Sequence, residues 1–162
     1  MSRMTGGRIM AALAVGLMLL VSPLRAADGK LTVVEKFGER SGGLAVAHYT
    51  AANVERSKSR VGLVIIASPD ENSFAFDLAE WRTLIALCDK AIATQSNGWT
   101  VVGSMTETGT TDVSHLTLSG GPALRFVIAS PKDGEGSYVL QKSDLPRLQS
   151  ALRAVEVYLA AP

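Results

Sequence analysis

The chain has 162 residues, with sixteen basic and fifteen acidic side chains and a formal charge of +1. That near-neutral balance lacks the basic excess with which nucleic-acid binders usually neutralise phosphates. Cys88 is the only cysteine, which excludes an intrachain disulfide, so the fold must rest on its apolar core.

Arg3 and Arg8 open the chain, and Ile9 to Val21 is an apolar and glycine run without a charge. Pro23 breaks the run, and Ala26-Ala27 offers small residues for cleavage. This is the three-part layout of a secretory signal peptide over residues 1–26. It predicts a periplasmic or secreted protein. The run is shorter than the about 20 residues a spanning helix needs, so no stable membrane span remains after cleavage. A retained helical anchor is the alternative. Cleavage removes Arg3, Arg8 and Arg25 and leaves thirteen basic residues against fifteen acidic ones.

In the remaining chain a pattern recurs in order, as an internal repeat. Thr32-Val33-Val34 matches Thr100-Val101-Val102, and Val46-Ala47-His48-Tyr49-Thr50 matches Val113-Ser114-His115-Leu116-Thr117. Ile66-Ala67-Ser68-Pro69 returns as Ile128-Ala129-Ser130-Pro131, and Phe76-Asp77-Leu78 matches Tyr138-Val139-Leu140. Residues 31–37, 44–51, 61–67 and 73–78 read as four strands, rich in β-branched and apolar side chains. Residues 99–105, 112–118, 123–129 and 136–141 read as four more. Pro69 and Pro131 end the third strand of each set, because proline cannot donate to a ladder. Asp70-Glu71-Asn72 and Lys132-Asp133-Gly134 are the expected hairpin turns.

A helix follows each set. Trp81, Leu84, Cys88 and Ala91 lie at helical spacing, as do Leu145, Leu148, Leu152 and Val155, giving one buried stripe each. Asp77 and Ser143 are the expected N-caps, and Pro146 suits a first turn. The fold class is therefore α+β: an internally duplicated ββββα repeat, about 31–94 and 99–160. Its two antiparallel sheets, each with a helix, pack in one pseudo-two-fold domain over 27–162, since neither copy alone covers its sheet.

The stretch Phe74-Ala75-Phe76-Asp77-Leu78-Ala79-Glu80-Trp81-Arg82-Thr83-Leu84 resembles the end of the positive-cofactor-four coactivator domain. Two such units in one chain also look like the Whirly domain. The resemblance implies single-stranded nucleic-acid binding, with Phe76 and Trp81 stacking on bases. Arg56, Lys58 and Arg60 would follow the backbone. The second copy departs from this pattern: Leu145 stands where the tryptophan would be, and no basic loop precedes its third strand. Read from the residues alone, Trp81 is a core anchor between helix and sheet, and Arg56 to Arg60 belong to a solvated loop.

His48 and His115 fall at matching positions, so a two-fold could bring them together as weak metal candidates. No further Cys or His completes a shell, and the expectation is no metal and no cofactor. There is no G-x-S-x-G, H-E-x-x-H or G-x-x-x-x-G-K motif, and no carboxylate pair stands out. The expectation is a non-enzymatic, exported binding or structural module with a protein or small-ligand partner. The alternative is single-stranded nucleic-acid binding through Phe76, Trp81 and the Arg56–Arg60 loop.

Overall fold

The computed structural model describes residues 29–38, 42–51, 60–67, 71–107 and 113–162. Four strands, β1 (Gly29–Phe37), β2 (Gly43–Ala51), β3 (Arg60–Ala67) and β4 (Glu71–Phe76), form one antiparallel sheet in chain order. Helix α1 (Leu78–Ala93) follows. The second set, β5 (Thr100–Thr106), β6 (His115–Gly120), β7 (Leu124–Ser130) and β8 (Gly134–Leu140), forms a second sheet of the same order. A short 3₁₀ turn (Lys142–Asp144) leads into α2 (Leu145–Ala160). This is the duplicated ββββα architecture that the repeat implies.

Local chemistry sets the helix starts. Asp77 caps α1 with a full capping box: the Glu80 N–H donates to Asp77 Oδ1 at 2.8 Å, and the Asp77 N–H donates to Glu80 Oε2 at 2.9 Å. Such a cap is worth about 0.5–2 kcal/mol. Ser143 is not the cap of α2: it lies within the 3₁₀ turn, and Asp144 takes the cap position without a side-chain bond. Pro146 occupies the first turn as its missing N–H allows.

Register aligns the halves more strictly than residue identity does. Each first strand carries a bulge, at Val34 between Val33 and Glu35, and at Val102 between Val101 and Gly103. Counting from these bulges, Val46 opposite Glu35 corresponds to Leu118 opposite Gly103. His48 therefore corresponds to Gly120, and the match of His48 with His115 is off by five residues. An odd slip changes face, which is why His115 points away from the core side that His48 occupies. In the fourth strands the counterpart of Phe76 is Leu140, not Tyr138, since Phe76 pairs with Gly62 as Leu140 pairs with Leu124. In the helices the buried set Trp81, Leu84, Ile85, Cys88 matches Leu148, Ala151, Leu152, Val155. The counterpart of Trp81 is thus Leu148, fully buried, rather than Leu145.

The helices are exchanged between halves. α1 packs mainly on β5 and β6 of the second sheet, and α2 on β1, β2 and β3 of the first. They run antiparallel to each other with two-fold-related contacts. Arg82 Nε donates to Glu156 Oε1 at 3.0 Å, and at the equivalent positions Gln149 Nε2 donates to Asp89 Oδ1 at 3.3 Å. Trp81 Nε1–H crosses between them to the Leu152 carbonyl at 2.8 Å. One core joins both sheets and both helices, from Val46, Val64 and Phe76 to Leu118, Phe126 and Leu140. Each half buries its apolar sheet under the other's helix, so hydrophobic burial of about 25 cal/mol per Å² is gained only when both are present.

Candidate binding face

Strand alternation sends Leu44, Val46, Val64 and Ile66 inward, so Ala45, Ala47, Leu63 and Ile65 point to the outer face of the first sheet. That outer face is apolar over β2 and β3, with Lys36, Ser73 and Glu71 at its margins. Ala45, Ala47, Tyr49, Leu63 and Ile65 form a second cluster, flanked by Leu31, Val33, Ala51, Val61 and Ala75.

The second sheet is different at the same register positions. Thr117 stands for Ala45, Ser119 for Ala47 and Arg125 for Leu63. Its outward valines, Val101 and Val139, are 65% and 39% exposed, and it has the polar, half-solvated outer face usual for an antiparallel sheet. The inner faces of both halves are apolar, whereas the outer faces differ in polarity.

Two acidic groups lie at the margins of the first sheet. Glu71 opens β4 and, paired with Ala67, points to the outer face. Its Oε1 is buried without a hydrogen bond, and burial raises its pKa above the usual carboxylate range. Glu107, from the second half, accepts the Ala75 N–H of β4 at 3.3 Å, and burial raises its pKa too.

The residues named from sequence are dispersed. Phe76 and Trp81 are 1% and 0% exposed and meet edge to face in the core, with ring centroids 5.3 Å apart. No base reaches their faces in this conformation; Trp81 is the anchor between α1, α2 and β3. Gly62 makes room for it, since a Cβ there would stand 2.4 Å from Trp81 Cε3. Arg60 is engaged at the end of α2. Its Nη1 donates to the carbonyls of Tyr158 at 3.0 Å and Ala161 at 2.7 Å, and its guanidinium lies 5.0 Å from the Tyr158 ring centre. A cation there complements the helix dipole. Arg56 and Lys58 lie outside the described residues, as does the whole of the expected leader.

His48 lies under α2, stacked on Tyr158 with ring centroids 3.7 Å apart. Its Nδ1 is buried without a hydrogen bond, and burial, then Lys30 and Arg60, hold its pKa below the ordinary value. His115 belongs to the outer face of the second sheet, where its Nδ1 meets Thr106 Oγ1 at 3.1 Å. The two histidines do not come together. Among the described residues no group of three or more His, Cys, Asp or Glu is placed to hold a metal ion. Cys88 is buried, and burial pushes its thiol pKa well up, as suits a core residue rather than a nucleophile.

The outer face of the first sheet was not picked out from the sequence, though a signal was present. Val61 to Ala67 is apolar without alternation, the mark of a strand with two apolar faces, whereas Leu116-Thr117-Leu118-Ser119 alternates.

No family model matches the chain, and no curated protein matches it. Among solved structures it is similar to one described as the crystal structure of WHY3 from Arabidopsis thaliana. The match has 12% identity and a TM-score of 0.40, over 81% of this chain and 80% of that one. The fold assignment here stands on strand order and register, independently of that likeness.

Proposed function

We propose that the mature chain is an exported, non-enzymatic binding module that takes an apolar partner segment on the outer face of the first sheet. The observation that supports this most directly is the contrast between the two outer faces. A second apolar cluster on the outer side of a sheet is a surface against which a partner's apolar segment can be buried, and the equivalent face of the second half shows that the fold does not require one. The signal-peptide layout of residues 1–26 supports export, and the slight acidic excess after cleavage suits a partner other than nucleic acid. Two measurements test the reading. Fractionation of the producing cells should place a chain beginning near Ala27 outside the cytoplasm. A hydrophobic dye should bind that chain, and Leu63→Ser should reduce the binding without changing the circular dichroism. An intact leader on cytoplasmic protein refutes export; dye binding indifferent to position 63 refutes the face.

The family resemblance carries a second reading, single-stranded nucleic-acid binding. With Phe76 and Trp81 in the core and Arg60 at the end of α2, it would fall to Arg56, Lys58 and other surface residues. Fluorescence anisotropy with a labelled oligonucleotide at about 50 mM salt, where phosphate contacts are strong, decides it.

A further inference from the structure

The strands at the ends of the two sheets are β1, β4, β5 and β8. An edge strand presents unpaired N–H and C=O groups that another strand can take, and stable domains block them. At β1 the Lys36 N–H donates to Glu35 Oε1 at 3.1 Å, and the Lys36 carbonyl accepts from Arg147 Nη2 at 3.1 Å. At β4 the Ala75 N–H donates to Glu107 Oε1 at 3.3 Å. β8 carries Glu135 and lies against β3 and β4 of the first sheet.

β5 is different. No charged residue stands between Lys90 and Glu107. Lys90 Nζ donates to the carbonyl of the bulge residue Val102 at 3.2 Å, which closes the edge at that point. Beyond it the edge is open. The Glu107 N–H donates across the hairpin to the Ser114 carbonyl at 3.0 Å. Alternation then turns the N–H and C=O of Met105 and Gly103 toward β6, and those of Ser104 and Thr106 away from it. The matched ladders agree, since Ser104 corresponds to Lys36, whose backbone groups face outward in the first half. Among the described residues no strand or side chain bonds the outward backbone groups of Ser104 and Thr106, and both residues are exposed.

The stretch Gly103–Thr106 is complementary to itself when run antiparallel. With a two-fold axis at Met105, Ser104 lies opposite Thr106 of the second copy, and each such pair exchanges both its N–H···O bonds. Their hydroxyls meet as cross-strand Ser–Thr pairs on the outer face. Met105, half-buried against the core, meets its own counterpart on the axis, so the exposed remainder of both side chains is covered. Gly103 has no side chain to oppose Glu107, whose carboxyl is already turned to Ala75. No like charges are brought together. Pairing uses up the open edge of both copies, and the blocked edges prevent further addition, so the assembly closes at a dimer.

We infer that β5 is a self-association edge, through which two copies of this chain join their second sheets into one continuous sheet. This surface is separate from the outer face of the first sheet and does not depend on the function proposed for that face.

The experiment is sedimentation equilibrium of the protein as purified from the producing cells, from about 5 μM to about 500 μM, the range suited to a small and weak interface. The mass should rise from one copy toward two. Ser104→Pro removes an outward N–H from an edge strand, which leaves the ladder to β6 intact. The two-fold removes that donor twice, so dimerisation should weaken about tenfold or more. Ser104→Lys with Thr106→Lys sets like charges opposite each other and should weaken it similarly. Ser104→Lys with Thr106→Glu sets opposite charges across the pair and should restore it to within about threefold. Circular dichroism checks that each variant is folded. Met105→Cys should form an intermolecular disulfide under mild oxidation, because residues opposed in a non-hydrogen-bonded pair lie about 4.5 Å apart. Cys88 is buried and does not compete. Adding Ser104→Pro should suppress that cross-link. A protein that remains monomeric throughout the range overturns the inference, as does a mass that climbs past two copies. So does a dimer that Ser104→Pro leaves intact; if Leu63→Ser dissolves that dimer, the interface is the outer face of the first sheet instead.

Discussion

Gly62 and Trp81 should behave as one unit, because the second half fills the same space differently. Counting from the matched ladders, Gly62 corresponds to Leu124 and Trp81 to Leu148. One half uses a glycine under a tryptophan; the other uses two leucines. In Gly62→Ala the new Cβ stands 2.4 Å from Trp81 Cε3 and 2.6 Å from Cζ3, whereas carbon atoms rest about 3.5–4.0 Å apart. The ring must retreat by about 1 Å to restore that contact distance. It has no free surface to retreat to, being 0% exposed and tied by Nε1–H to the Leu152 carbonyl. The cost should lie in the upper part of the overpacking range, about 2–3 kcal/mol. Trp81→Leu leaves a cavity and frees that carbonyl, costing about 3–4 kcal/mol. The double change Gly62→Leu with Trp81→Leu reproduces the second half's pair. It should be more stable than the sum of the Gly62→Leu and Trp81→Leu costs, each measured alone, by at least about 1 kcal/mol. Urea unfolding followed by far-ultraviolet circular dichroism gives the midpoints, with an unchanged slope as the check on two-state behaviour. A neutral Gly62→Ala, or strict additivity in the double variant, would refute this account of the core.

Three further outcomes follow from the same structure. Arg60→Ala removes two bonds to carbonyls at the end of α2 and should cost about 1–2 kcal/mol, with faster hydrogen exchange confined to the last turn of that helix; exchange unchanged there would contradict it. Burial, then Lys30 and Arg60, disfavour the charged form of His48, so its folded pKa lies below its unfolded one. Its contribution to stability is complete above the unfolded value of about 6.5 and is lost as pH falls through the folded value. The urea midpoint should therefore fall between pH 7.5 and pH 5, and fall less in His48→Phe, which keeps the ring against Tyr158; parallel profiles would exclude His48 as the cause. Cys88 should resist thiol reagents in the native protein and react on unfolding, since burial both hides the sulfur and disfavours the thiolate.

Arg147 illustrates how α2 is held across a sheet that is not its own. It reaches Glu35 Oε1 at 2.7 Å and the Lys36 carbonyl at 3.1 Å at one end of the helix, while Arg60 holds the other end. Such exposed pairs contribute little individually, and Arg147 is half exposed. Their value is positional, fixing where the helix lies over β1 and β2.

The sequence by itself determined the repeat of four strands and a helix, the buried stripe of each helix and the cap at Asp77. These depend on local periodicity and on a side chain three residues from its partner, which the linear order contains. It also held, in the unbroken apolar run of β3, the sign that the first sheet is apolar on both faces. Tertiary structure decided the rest. The bulges at Val34 and Val102 set the register that separates His48 from His115, and a bulge is visible only when a strand meets its neighbour. The exchange of helices put Trp81 against Leu152 of the other half, turning a residue that resembles a base-stacking platform into the centre of the core. Spacing within one segment says which face of a helix is apolar, but only packing between segments says what that face meets.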